Sequence, residues 1–243
     1  MSNINIIRKA SVWIFIVPFA VINLCLLIST NYSFLDNTIF SVDQIGRSNF
    51  TIPYIDGGLS ISRSVRTYPT YLLFKPGMLL TAILLIRYWI ENNKLFKVIE
   101  NEENKNRIFI FFGIGSAVFL ILHSIFLGID FDNEIYKFFK RIFLLGFIIF
   151  EIIAQALLLK VFFKNKLKIL AYINHKILYL KMILVSILIL VALASAPILN
   201  SSDYTHFKHA LEWNYFVGVI TFYLLTFLLW KKKQNPVHTP EGV

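Results

Sequence analysis

The chain has 243 residues, 57% of them hydrophobic and only 16% charged, with a mean hydropathy of +0.66. Soluble domains carry about 25% charged residues, so this composition excludes an ordinary water-soluble globule and points to lipid as the solvent. The net charge of +10 does not argue for a nucleic-acid partner, because lysines and arginines gather at the ends of apolar blocks, where they orient a membrane protein. The single cysteine, Cys25, excludes an internal disulfide and a multi-cysteine zinc site.

Six apolar blocks of about 20 residues, the length that crosses a bilayer as a helix, predict an all-α polytopic membrane bundle. The first span, 11–30, follows Arg8 and Lys9. It is longer than a signal-peptide core and no clean small-x-small site follows it, so it reads as an uncleaved span. A polar segment, 31–68, comes next. Its last part leads into the second span as IPYIDGGLSISRSVRTYPTYLLFK, residues 52–75. Asp56-Gly57-Gly58 is a turn signal, because glycine reaches positive φ at no steric cost. Arg63 and Arg66 stand among Ser60, Ser62 and Ser64 just before the apolar phase. Guanidinium and hydroxyl groups at a membrane surface suit a phosphate or an anionic headgroup; a solvated loop with interfacial anchors is the plainer alternative.

The second span, 69–90, runs into a charged loop, 91–107. The third, 108–129, precedes an acidic loop with Asp130, Asp132 and Glu134. The fourth, 139–162, precedes Lys164, Lys166, Lys168 and Lys176. The fifth, 177–199, and sixth, 209–230, flank a polar link, and Lys231-Lys232-Lys233 stops the last. Residues 1–233 thus form one membrane domain, and 234–243, with Pro236 and Pro240, read as a disordered tail. The basic stretches all fall on one side, so the positive-inside rule predicts cytoplasmic termini. Trp13, Trp89 and Trp230 fall at that same boundary, as an aromatic belt would. Asn31, Asn49 and Asn200 begin sequons on the opposite side.

Ionisable groups inside spans are functional hypotheses, because each costs about 2.5–3.5 kcal/mol at mid-bilayer. Lys75 and His123 each lie about six residues from an outer helix end, roughly 9 Å deep at 1.5 Å per residue. Asn23, Glu212 and Asn214 fall near that level, so a shared polar cavity open to the outer side is expected. His209 and Glu212, with His123, are the candidates for acid–base chemistry. Asp56, Arg63, Arg66, Lys75 and Trp213 are the candidates for headgroup binding. No cofactor is expected. His123, His206 and His209 are the residues a metal would use, but no H-E-x-x-H accompanies them. Glu151 and Gln155 lie deeper, at i and i+4 on one helix face, where they can share a hydrogen bond.

Two segments resemble the damage-regulated autophagy modulator (DRAM) family, which includes proteins that remodel the lipid of GPI anchors. The first is IPYIDGGLSISRSVRTYPTYLLFKPGMLLTAILLIRYW, similar to the family's first outer loop and second span. The second is HALEWNYFVGVITFYLLTFLLW, similar to its last span. Pro53, Asp56, Gly57, Arg63, Arg66, Glu212 and Trp213 carry the likeness. The chain departs from it at Asp56, where serine is common, and at Ser62, where a proline precedes the first arginine. The resemblance implies about six spans with cytoplasmic ends. It also implies handling or remodelling of lipid or GPI-anchor headgroups at the outer or luminal leaflet, with a membrane lipid or lipid-linked headgroup as the partner. The matching location is the plasma membrane or an endomembrane (Golgi, ER or lysosome) in a eukaryote, or the inner membrane in a bacterium. A non-catalytic modulator of trafficking or autophagy is the alternative, and a small proton-coupled transporter using Glu151 is a third reading.

Overall fold

The computed structural model describes residues 2–35, 38–40, 50–101, 107–127, 134–200 and 203–231. In chain order the helices are α1 (Ser2–Thr30), α2 (Ile61–Val65), α3 (Thr70–Glu100), α4 (Ile108–Phe126), α5 (Glu134–Lys164), α6 (Lys166–Ile169), α7 (His175–Asn200) and α8 (Thr205–Leu229). The six long ones are all long and apolar enough to cross a membrane. Among the described residues there is no strand, only an isolated bridge from Ile173 to Trp230. The fold is therefore the expected all-α six-helix membrane bundle. The expected disordered tail at 234–243 lies outside the described residues.

The long helices close a ring: α1 packs on α3 and α8, α3 on α4, α4 on α5, α5 on α7, and α7 on α8. One end of the ring carries residues 50–69 and is called here the loop end. The other carries Lys9, Arg107, Lys164, Lys168 and Lys176 and is called the basic end. Inside the ring, Tyr88, Trp89, Phe162, Trp213, Phe222 and Tyr223 are fully buried.

Two expectations change. The stretch 91–107, read as a loop, remains helical to Glu100. Its polar groups pair along the helix: Lys94 Nζ meets Glu91 Oε1 at 2.8 Å, and Asn92 Nδ2 donates to the Tyr88 carbonyl at 2.8 Å. Asn101 then ends the helix at φ 56°, its N–H donating to the Lys97 and Val98 carbonyls. Beyond it, Arg107 Nη2 donates to Glu100 Oε2 (2.6 Å) and Asn165 Nδ2 to Glu100 Oε1 (2.6 Å), which ties α3, α4 and α5 together. The aromatic belt also fails as a group. Only Trp13 is exposed (54%), while Trp89 and Trp230 face the bundle interior. Gly113 of α4 makes room for Trp89, since a Cβ there would strike the indole ring.

The positive-inside rule predicts that the basic end faces the cytoplasm. With Cys25→Ala as background, Ile55→Cys at the loop end should react with an impermeant maleimide in intact cells, and Val98→Cys at the basic end should not. Labelling of Val98→Cys alone would invert the orientation.

Candidate functional site

At the loop end, residues 51–65 are folded onto the start of α8. Asp56 closes this segment on itself. One carboxylate oxygen accepts from Thr51 Oγ1 (2.5 Å) and the Gly58 N–H (2.8 Å), the other from the Ile52 N–H (2.8 Å). These bonds, Thr51's foremost, hold the carboxyl below its ordinary value of 3.8, so it is ionised at neutral pH. Gly57 sits at φ 61°, and a Cβ there would collide with the His206 backbone carbonyl. Only glycine combines that conformation with so close an approach.

Four side chains of α8 grip the segment. His209 Nδ1 lies 2.9 Å from the Gly57 carbonyl, which can only accept, so this ring nitrogen carries the hydrogen. The Trp213 indole N–H donates to the Leu59 carbonyl (2.8 Å) and Asn214 Nδ2 to the Tyr54 carbonyl (2.7 Å). Glu212 accepts from the Ile61 and Ser62 N–H groups. With Ser60 Oγ, which accepts from the Arg63 N–H at 3.2 Å, Glu212 caps α2. Helix α1 holds the other flank: Tyr54 OH donates to Asn23 Oδ1 (2.9 Å) and Ser29 Oγ to the Ser64 carbonyl (2.9 Å). Burial keeps the Tyr54 phenol above its ordinary value, so that donor is present at neutral pH.

Several sequence candidates thus take structural work. Asp56 is occupied by the turn, Trp213 is fully buried, and His209 and Glu212 hold the loop. The clamp presents one face of α2. Ser62, Arg63 and Arg66 are exposed, while Ser64 and Val65 are buried. Neither guanidinium makes a hydrogen bond or ion pair among the described residues.

Of the groups expected in one polar cavity, Asn23 and Asn214 meet at Tyr54, Glu212 joins the same clamp, and Lys75 turns to α4. Lys75 Nζ reaches the Ile125 carbonyl in the last turn of α4, at 3.4 Å, where a cation also complements the helix C-terminus. His123 sits on α4, which packs on α3 and α5, whereas His209 and Glu212 sit on α8, which packs on α1 and α7. His123, His206 and His209 do not come together as a metal-holding group, and among the described residues no cluster of three such side chains occurs. Depth along separate helices does not bring side chains together; the helix faces must also converge.

A second polar assembly runs through the middle of the ring. Glu151 accepts from Ser116 Oγ (2.7 Å), from Gln155 Nε2 (3.0 Å) and from Tyr223 OH. The expected bond between Glu151 and Gln155 is present, and Gln155 Nε2 also donates to the Val219 carbonyl (3.3 Å). The Tyr223 ring meets Tyr88 edge-on, with centroids 4.9 Å apart. Tyr88 OH lies 3.3 Å from Thr226 Oγ1, which itself receives Lys181 Nζ at 2.6 Å. Sequence reasoning missed Lys181. It lies near the end of an apolar block, where a lysine ordinarily snorkels to water. Here it is fully buried, its Nζ 3.7 Å from the Phe222 ring centroid. The available signal was its place within span 177–199.

Compared with protein-family models, curated proteins and solved structures, the chain gives no match.

The clamp makes two predictions. Trp213→Phe leaves the buried Leu59 carbonyl without its donor, and should lower stability by about 1–3 kcal/mol, read as a lower midpoint of thermal unfolding in detergent. Asp56→Ala should speed hydrogen exchange at the Ile52 and Gly58 amides. Because the folded value of Asp56 lies below the unfolded one, its contribution is complete above about pH 4 and is lost only as acid protonates it.

Proposed function

We propose that this integral membrane protein handles lipid or lipid-linked headgroups at the surface where α2 lies. The DRAM-type and GPI-lipid-remodelling proteins that its loop and last span resemble are the family reading we adopt. One observation carries the proposal: Arg63, on the short helix that α1 and α8 hold in place, and Arg66, at its C-cap, are exposed and unpaired. Two guanidinium groups held in place suit a phosphate, which they contact in bidentate fashion, and a preformed site avoids the entropy of ordering a loop on binding. His209 and Glu212 are engaged by the loop, so the proposal is of binding and presentation of the headgroup. A modulator of trafficking or autophagy that senses lipid without transforming it fits the same arrangement.

Arg66→Lys should weaken binding of a phosphate-bearing headgroup about tenfold, since lysine loses the bidentate contact. Arg63→Ala with Arg66→Ala should abolish it without moving the unfolding midpoint, as both side chains are exposed. Unchanged binding to nanodiscs, together with a wild-type lipid profile in cells carrying only the double variant, would remove the proposal.

The buried assembly favours a second reading. Glu151 and Lys181, fully inside a membrane bundle and linked through Tyr223, Tyr88 and Thr226 by hydrogen bonds and one ring contact, suit a proton-coupled transporter. Proteoliposomes under an imposed pH gradient distinguish it. On this reading Glu151→Gln stops proton movement and Arg63→Ala does not; on the lipid reading neither the wild type nor the variant moves protons.

A further inference from the structure

At the basic end, α1 and α3 leave a groove of about 310 Å³ between them. On α1, Ile6, Ala10 and Trp13 recur at i, i+4 and i+7, so they share one face, with Lys9 beside them. On α3, Leu84 and Arg87 are one turn apart. These six residues line the groove. Ala10 is buried, and its small side chain leaves space where a larger one would fill it.

The charges in this groove are unanswered. Lys9 and Arg87 are both exposed, and neither makes a hydrogen bond, ion pair or ring contact among the described residues. Some cations at the same end are engaged. Arg8 lies over the Phe227 ring, 4.9 Å from its centroid, and Arg107 and Lys164 share Glu100. The carboxylate one turn from Arg87 is Glu91, but it is taken by Lys94 at 2.8 Å. An arginine N-terminal to its glutamate is also the weaker order for such a helical pair. Among the described residues no carboxylate lines the groove.

We propose that the groove between α1 and α3 binds an anionic phospholipid, with its phosphate between Lys9 and Arg87. The level is right for this. Lys9 lies two residues before the start of the first apolar block, and Arg87 lies three residues before the end of the second, about 4–5 Å inside it at 1.5 Å per residue. Trp13 is exposed beside them, and an indole has an apolar body for the acyl chains and an N–H for the glycerol–phosphate region. Ile6 and Leu84 supply apolar walls. Two cations with no facing carboxylate select a lipid of net negative charge, because a zwitterionic headgroup would bring an ammonium into the same positive field. The site lies at the opposite end of the bundle from α2 and shares no residue with it, so it stands whether or not the headgroup proposal there does.

The test uses the full chain in detergent, with lipid retention read by native mass spectrometry. The wild type should retain phosphatidylglycerol at least tenfold better than phosphatidylcholine. Lys9→Gln with Arg87→Gln should erase the preference, while Lys97→Gln and the Arg63→Ala, Arg66→Ala pair should keep it. Equal retention of both lipids by the wild type, or an undiminished preference in the Lys9/Arg87 variant, would overturn the site. A measurement on the wild type guards against a variant that fails to fold. Trp13 is the exposed tryptophan, the other three being buried, so phosphatidylglycerol with brominated chains should quench tryptophan fluorescence more than brominated phosphatidylcholine does. Equal quenching counts against the proposal.

Discussion

Inside a bilayer there is no water to satisfy a polar atom, and each one left unpaired costs several kcal/mol. The bundle meets this constraint first within single helices. Ser11, Ser29, Thr81, Ser124 and Thr226 each return a hydroxyl to the carbonyl four residues back. A helix can bury such residues without help from a neighbour. Larger polar groups need a partner helix. Glu151 has donors from α4, α5 and α8, and Lys181 of α7 has a hydroxyl and an aromatic face from α8. The ring of six helices is what makes those meetings possible.

The same demand organises the loop end. A loop lying on a membrane helix exposes backbone carbonyls and amides that must be paired. The carbonyls of Tyr54, Gly57 and Leu59 accept from Asn214, His209 and Trp213, and the amides of Ile61 and Ser62 donate to Glu212. The polar face of α8 is therefore the complement of one backbone segment. Its consequence is that α2 is held still, and the two arginines on its free face are offered from a fixed position.

The two ends of the bundle carry cations in different settings. At the loop end the arginines project from a clamped helix. At the basic end Arg8, Lys94, Arg107 and Lys164 are drawn into local pairs or ring contacts, and Lys9 and Arg87 stand beside a groove with an exposed tryptophan. Both arrangements suit phosphate by elementary electrostatics, but at opposite surfaces of the same membrane.

The six-span architecture was legible in the sequence, because block length and apolarity bear directly on whether a helix crosses a bilayer. So was the Glu151–Gln155 pair, since i and i+4 fall together on any helix. The turn at Asp56-Gly57-Gly58 was legible for the same local reason. Other features depended on tertiary structure. His209 and Gly57 are 152 residues apart, and Lys181 and Thr226 are 45 apart. A residue's own neighbours in sequence state its depth and its face, but not which helix that face meets. That is why Trp89 and Trp230 read as interfacial anchors and are core residues, and why Asn23, Glu212 and Asn214 read as cavity groups and hold the loop. Only the closure of the ring decided which polar groups would meet.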